Sequence, residues 1–197
     1  MPARIRHLPD QLVNQIAAGE VIERPASALK ELIENSLDAD ASRISVDLAE
    51  GSLSGLTVSD DGAGMAHDEL ILAVQRHATS KLPHDNLVDI QFFGFRGEAL
   101  PSIGSVSQLR LFSRQHADLH GWALTVRHGN ADEPEPAAGE RGTRIEINDL
   151  FASVPARLKF MKTQKTEAGQ CYDVVRRFAM SRPDVSFILT DSGRTVL

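Results

Sequence analysis

Apolar residues recur along this chain in two registers, and each change of register marks an element. In LPDQLVNQIAAGEVI, Leu12, Val13 and Ile16 fall on one helical face, with Gly19 punctuating the pattern. Pro25 suits the first turn of a second helix, where a missing N–H costs nothing, and ALKELIENSLDADA continues it. At about 100° per residue, Leu29, Leu32, Ile33 and Ser36 gather on one flank of that helix. Glu31, Asn35 and Asp38 gather on the other.

The period then becomes two. Ile44, Val46 and Leu48 alternate with polar residues, Leu56 and Val58 do so again, and Gly and Ser separate the runs, which predicts a β-hairpin. A short helix is expected from about Asp68 to His77. Between Ala78 and Gly104 periodic cues are few, and so long a loop in a compact domain is usually functional or mobile. SVSQLRLFSR, GWALTVRHG and TRIEINDLF read as strands, ADEPEPAAGERG as a polar turn region, and TEAGQCYDVVRRFAMSRPD as a helix that Pro183 ends. ILTDSGRTVL has the pattern of a strand, a turn and the start of another strand. There is no internal repeat. The pattern predicts an α+β domain, with helices collected around one mostly antiparallel sheet.

Length and composition narrow this further. A chain of 197 residues, 42% hydrophobic, can bury one core, or one core and the start of a second domain. No apolar run approaches the roughly 18–20 residues that span a bilayer, so no membrane association is expected. MPARIRHLPD lacks the apolar stretch of a secretory signal. Cys171 stands alone, which rules out an internal disulfide and a Cys₄ or Cys₂His₂ zinc site and fits a reducing cytoplasm. A net charge of −6 argues against a whole-surface nucleic-acid binder but leaves room for a local basic groove.

Three stretches carry candidate chemistry. The Glu31–Asn35 flank is either a solvated face or a reactive one: a carboxamide oxygen is a hard ligand for Mg²⁺, and a carboxylate one turn away can orient or deprotonate water. In SDDGAGM, Asp60 ends a strand ahead of Gly62 and Gly64; this is an ordinary turn or a ligand site. A buried carboxylate there only accepts hydrogen bonds, which suits the exocyclic amine of adenine and rejects the oxygen of guanine. In FFGFRGEALPSIGSV, glycines bracket Arg96 and EALPSI resembles a first helical turn, so the stretch is a flexible turn or an anion site. It is neither a P-loop nor G-x-G-x-x-G.

Together with NQIAAGEVIERPASALKELIENSLDA, RHATSK, GFRGEAL and PARLKFMKT, these stretches resemble the GHKL ATPases (gyrase B subunit, heat-shock chaperone, histidine kinase) and within them the MutL-type DNA mismatch-repair proteins. The resemblance covers essentially the whole chain. It implies a GHKL-type sandwich over residues 1–197, a mixed, mostly antiparallel sheet with helices on one face, an N-terminal arm (1–18) and an ATP lid region (76–104). It implies ATP and Mg²⁺ as ligands. Glu31 stands where the family places the base that activates water, Asn35 where Mg²⁺ is bound, and Asp60 where adenine is read, with Gly62 and Gly64 beside the nucleotide. Thr79, Ser80 and Lys81 match a segment that helps hold the nucleotide. Gly94, Phe95, Arg96, Gly97, Glu98, Ala99 and Leu100 match the phosphate-binding lid, and Thr143 the threonine near the adenine pocket. The implied function is slow Mg-dependent ATP hydrolysis that orders lid and arm and drives homodimerisation. The implied partners are weakly and non-specifically bound DNA, the mismatch-recognition protein MutS and a downstream repair nuclease or helicase.

Three positions depart from the pattern. Asp40 stands where glycine is common, at about 1 kcal/mol if the site is left-handed. Asp61 replaces a frequent asparagine and is expected to be exposed and tolerated, and Pro101 fits a first helical turn. The family's second domain carries a lysine for the γ-phosphate, and this chain is expected to stop before it, with hydrolysis slow or absent in consequence. The alternative is a nucleotide-independent DNA or protein adaptor, resting on Arg157, Lys159, Lys162 and Lys165, with Arg176 and Arg177 further on. Trp122 and Cys171 read as packing residues, Phe160 and Met161 as packing beneath the basic cluster, and His77 as structural or lid-associated.

Overall fold

The computed structural model describes residues 6, 7, 9–52, 54–79, 81 and 97–197. Helices α1 (Asp10–Val21) and α2 (Pro25–Asp38) come first, then β1 (Arg43–Ala49), a 3-10 turn at Glu50–Ser52, and β2 (Gly55–Asp60). Helices α3 (His67–Ala73) and α4 (Ala99–Ser105) precede β3 (Gln108–Arg114), β4 (Gly121–Arg127), β5 (Asn130–Ala131), β6 (Glu135–Ala137) and β7 (Gly142–Asn148). The chain continues through α5 (Pro155–Leu158), α6 (Gln164–Ser181), β8 (Ser186–Asp191) and β9 (Arg194–Thr195).

The strands make one sheet in the order β5-β4-β3-β7-β2-β1-β8-β9, with β6 also on β4. Every pair is antiparallel except β1 with β8, where Ile44 lies opposite Phe187 and Val46 opposite Leu189. This is the mostly antiparallel α+β sheet that the alternation predicts, and the mixed one that the resemblance implies. Its register sets Thr143 of β7 opposite Asp60 of β2 on one side and Ser113 of β3 on the other. Three polar residues therefore stand in one row at the end of the sheet.

Period two divides the sheet into faces. Ile44, Val46, Leu48, Leu56, Val58, Leu109, Leu111, Ile145 and Ile147 are buried on one face, beneath Leu29, Leu32 and Ile33 of α2. Asp47, Thr57, Arg110 and Arg144 occupy the other, as expected where one face of an antiparallel sheet is solvated. Each fully buried Leu or Ile contributes about 1.5–3 kcal/mol, so the α2–sheet contact is a large part of the core. Pro25 opens α2 as anticipated, and the Thr163 hydroxyl caps α6 by accepting from Thr166 N at 3.3 Å. Cys171 is buried, its thiol pushed up to about 11 by that burial and 3.6 Å from Ser52 Oγ; it is a packing residue. Trp122 packs against the core, with the His67 ring edge-on at 4.5 Å.

Several expectations change. Leu12, Val13 and Ile16 of α1 are exposed; Ala18 and Ile22 are what that end of the chain buries. Gly19 does not end α1. A Cβ there would lie 1.9 Å from Arg157 Nη2, because the guanidinium rests on the last turn and donates to the carbonyls of Gly19 (2.6 Å) and Ile22 (2.9 Å). Close by, buried Glu167 accepts from Arg24 Nη1 at 2.7 Å and from Lys162 N at 2.8 Å. Helix α3 ends at Ala73 rather than His77, and the polar 131–142 region holds β6, an edge strand that tolerates Pro136. Phe160 is 73% exposed and does not pack beneath the lysines, whereas Met161 lies partly buried against the core.

Candidate functional site

The site begins at the end of β2. Asp60 Oδ1 accepts from Gly62 N (3.0 Å) and Thr143 N (3.2 Å), and Oδ2 accepts from Ser36 Oγ (2.7 Å). The Ser36 hydroxyl also lies 3.1 Å from the Leu32 carbonyl, but its single proton favours the nearer, charged acceptor. A carboxylate has about four acceptor positions, so Asp60 keeps capacity for one further donor. Burial pushes its carboxyl above the ordinary range, the three hydrogen bonds pull it back, and the neighbouring charge of Asp61 adds to the rise.

The wall beside Asp60 is equally determined. Thr143 is buried, its hydroxyl 2.9 Å from Ser113 Oγ, and Ser113 Oγ also accepts from Met65 N at 2.8 Å. Gly142 has φ +99°, and a Cβ there would lie 2.0 Å from the Asp60 carbonyl oxygen. Gly62 and Gly64 stand in the turn that follows, where Ala63 N donates to the Ala39 carbonyl at 2.9 Å. Asp40, beside that contact, is left-handed at φ +58°, which is the geometry its glycine-like position implies. Asp61 is less idle than expected. Against a burial cost, hydrogen bonds from Ser42 Oγ (2.7 Å), Arg43 N (2.7 Å) and Ser42 N (2.8 Å) hold its carboxyl below the usual value.

Ser36 ties this pocket to α2, whose polar flank continues the site. Glu31 is partly exposed, 4.0 Å from Lys30 Nζ. Lys30 sits closer to Glu34, at 2.7 Å, so the charge of Glu34 is compensated rather than pressed on Glu31. Asn35 Oδ1 accepts from Lys81 Nζ at 2.8 Å, and the same ammonium pairs with Asp38. Thr79 Oγ1 accepts from Lys81 N at 3.1 Å.

The two ends of the intervening stretch meet. Gly97 packs on the Ala78 carbonyl, and Glu98 lies 3.1 Å from His77 Nδ1 and 3.9 Å from Arg76 Nε. Glu98 thus acts at the root of the stretch, and His77 is tied to it. Ala99, Leu100 and Pro101 form the first turn of α4, with Leu100 against the core. Ser80, Gly94, Phe95 and Arg96 lie outside the described residues.

The structure therefore brings Asp60, Gly62 and Thr143 together, and Asn35 with Lys81, on the two sides of α2's polar flank. Ser36 and Ser113 join this candidate site through their hydrogen bonds, and the sequence pattern does not single them out. A signal exists for both: each is a polar residue in an otherwise apolar register, Ser36 among Leu29, Leu32 and Ile33, and Ser113 after Leu109 and Leu111. The basic cluster loses Arg157, whose donors go to α1, leaving Lys159, Lys162 and Lys165 as exposed cations.

Residues 22–148 match the family described as histidine kinase-, DNA gyrase B- and HSP90-like ATPase. The DNA mismatch repair protein MutL of Paramagnetospirillum magneticum is 61% identical over 193 residues, covering 98% of this chain and 32% of that protein. MutL of Rhodospirillum rubrum is 58% identical over 190 residues, covering 96% of this chain and 30% of that protein. The chain thus spans about a third of the length of these curated relatives. The solved ATPase domain of Aquifex aeolicus MutL, in complex with ADP, superposes with a TM-score of 0.73 at 32% identity, over 90% of this chain and 63% of that one.

Proposed function

This chain belongs to the histidine kinase-, DNA gyrase B- and HSP90-like ATPase family, in its MutL branch, and we propose that it binds Mg-ATP and hydrolyses it slowly to drive a mismatch-repair switch. Asp60 accepts the adenine amine, and Thr143 with Gly62 and Gly64 lines the base pocket. Glu31 aligns and deprotonates the attacking water. The segment through Thr79, Ser80 and Lys81 and the Gly94–Leu100 stretch with Arg96 hold the phosphates, as a reaction limited by positioning and charge requires. Mg²⁺ would be held through Asn35, whose amide oxygen already accepts from a cation, and when bound it neutralises phosphate charge.

ATP binding orders the lid region 76–104 and the arm 1–18, brings two copies together and is read by MutS and a repair nuclease or helicase. DNA contact is weak and sequence-independent, and the setting is cytoplasmic; no described helix is long and apolar enough to cross a membrane. The observation that carries this reading is the Ser36–Asp60 bond, because it fixes an adenine-selective acceptor beside the helix that presents Glu31 and Asn35.

Labelled-ATP binding with and without Mg²⁺ tests it. Asp60→Ala should lose nucleotide under both conditions, Asn35→Ala should lose the Mg²⁺ dependence, and Glu31→Ala should bind ATP without turnover. ATP binding indifferent to Asp60→Ala would sink the proposal and favour the adaptor.

A further inference from the structure

Three contacts meet at one buried hydroxyl. Ser113 stands on β3 opposite Thr143 of β7, on the buried face of the sheet, and is 0% exposed. Its Oγ lies 2.8 Å from Met65 N, 3.1 Å from the Gly142 carbonyl oxygen and 2.9 Å from Thr143 Oγ1. A hydroxyl has one proton to give and two lone pairs to receive with. The Met65 amide can only donate, and the Gly142 carbonyl can only accept. All three contacts are therefore hydrogen bonds in one arrangement alone: Met65 N donates to Ser113, Ser113 donates to the Gly142 carbonyl, and Thr143 donates to Ser113. If Ser113 donates to Thr143 instead, the Ser113–Gly142 contact holds no proton. At so dry a place, where Thr143 is 9% exposed, the arrangement with more bonds is favoured. The Thr143 proton thus points at Ser113, and the Thr143 oxygen turns only lone pairs to the rest of its surroundings. Beside it stands Asp60, which accepts from Thr143 N at 3.2 Å, and an ionised carboxylate also only accepts.

We propose that Ser113 is a specificity-determining residue of the base pocket: by taking the Thr143 proton it makes the wall from Asp60 to Thr143 acceptor-only, so that the pocket holds a base through hydrogens on its edge and disfavours one that offers only lone pairs. The inference rests on the ATPase reading and deepens it. Ser113 touches no ligand; it acts through Thr143 and is a positioning residue. Adenine brings the amine hydrogens that such a wall needs. A purine ring without that amine brings ring nitrogens alone, and lone pairs then face lone pairs. Asp60 by itself makes part of this choice. Ser113 adds to it by closing the alternative, a Thr143 hydroxyl turned round to donate. The same oxygen receives Met65 N from the turn that carries Gly62 and Gly64, so the residue that fixes Thr143 also ties that turn to the sheet.

The probe is the diphosphate of purine riboside, which is adenosine without its exocyclic amine, titrated calorimetrically into the 197-residue chain with ADP in parallel. Wild type should bind the probe more weakly than ADP. Ser113→Ala frees the Thr143 proton and should bind the probe roughly three- to tenfold more tightly than wild type does, the worth of one neutral hydrogen bond. The gain should vanish when Thr143→Val is added, and should be absent from Ser113→Thr, which keeps the hydroxyl. A merely structural Ser113 predicts the reverse, since a loosened pocket binds nothing better. Probe affinity unchanged or lowered in Ser113→Ala overturns the proposal, as does a gain that survives Thr143→Val. A measurement that needs no substitution stands beside it: neutron diffraction of the deuterated chain should place the Thr143 deuteron toward Ser113 Oγ and the Ser113 deuteron toward the Gly142 carbonyl. A Thr143 deuteron directed into the pocket also overturns the proposal. Retained ADP binding with either negative result removes the role of Ser113 alone, whereas a chain that binds neither ADP nor the probe removes the ATPase reading and this inference with it.

Discussion

The two ends of the site are built by opposite means. The base end is made of strand: Asp60, Thr143 and Ser113 stand in one row by register, and every donor around the Asp60 carboxylate is a backbone amide or a hydroxyl on a packed element. The other end is made of one flank of α2, where Lys81 meets Asn35 and Asp38. The first arrangement is fixed before any ligand arrives, because its partners are set by the sheet. The second includes a tertiary contact, from Lys81 to Asn35 and Asp38. The Asp60 end is thus held by the sheet, and the Asn35 end by contacts between side chains.

The sharpest way to break this contrast is Gly142→Ala. The added methyl would meet the Asp60 carbonyl at 2.0 Å in a left-handed backbone, so a loss of roughly 3 kcal/mol or more is expected in urea denaturation, with nucleotide binding lost alongside. Near-wild-type stability would show that the base end is not rigid.

Ser36→Ala should act more mildly. It removes one hydrogen bond to a charged acceptor, worth about 1.5–3 kcal/mol, and is expected to weaken ATP binding by about tenfold or more. It also sharpens the pH dependence. In the proposed role Asp60 accepts the adenine amine most strongly when ionised, and burial raises its folded-state pKa above the usual 3.8, so binding should weaken on acidification at a higher pH than for an ordinary aspartate. Ser36→Ala should move that limb higher still, since the lost bond lowers the pKa. The linkage to stability has the opposite sense: a raised carboxyl favours the fold below 3.8, and that benefit fades as pH rises through the folded value. Calorimetric binding across an acidic pH series reads both effects.

The smallest effect belongs to the turn between them. Asp40→Gly relieves a left-handed aspartate and should stabilise by about 1 kcal/mol, a rise in Tm of roughly 2–4 °C by scanning calorimetry, with no change in nucleotide affinity.

Much of the base end was legible in the sequence, because it follows from local patterns. The two flanks of α2, the hairpin ending in Asp60 and the left-handed demand at Asp40 are statements about neighbours. What the pattern could not supply depends on distant partners. Leu12, Val13 and Ile16 share a helical face, but a shared face is buried only if some surface meets it. Arg157 reads as part of a basic run, yet its donors lie with helix-end carbonyls 138 and 135 residues away. Lys81 reads as a phosphate ligand, and its place on Asn35 and Asp38 exists only once α2 and the 79–81 strand of chain meet.

The grip of Arg157 and Glu167 on the junction between α1 and α2 bears on how the protein is made. Gly19, Ile22 and Arg24 leave the ribosome before the groups that bind them, which lie 135 to 143 residues later. At about 5–20 residues per second, this junction waits on the order of ten seconds for its latch. Helix α1 thus gains this latch only after much of the sheet has been translated, and for that interval a chaperone or a second nascent chain has access to the junction.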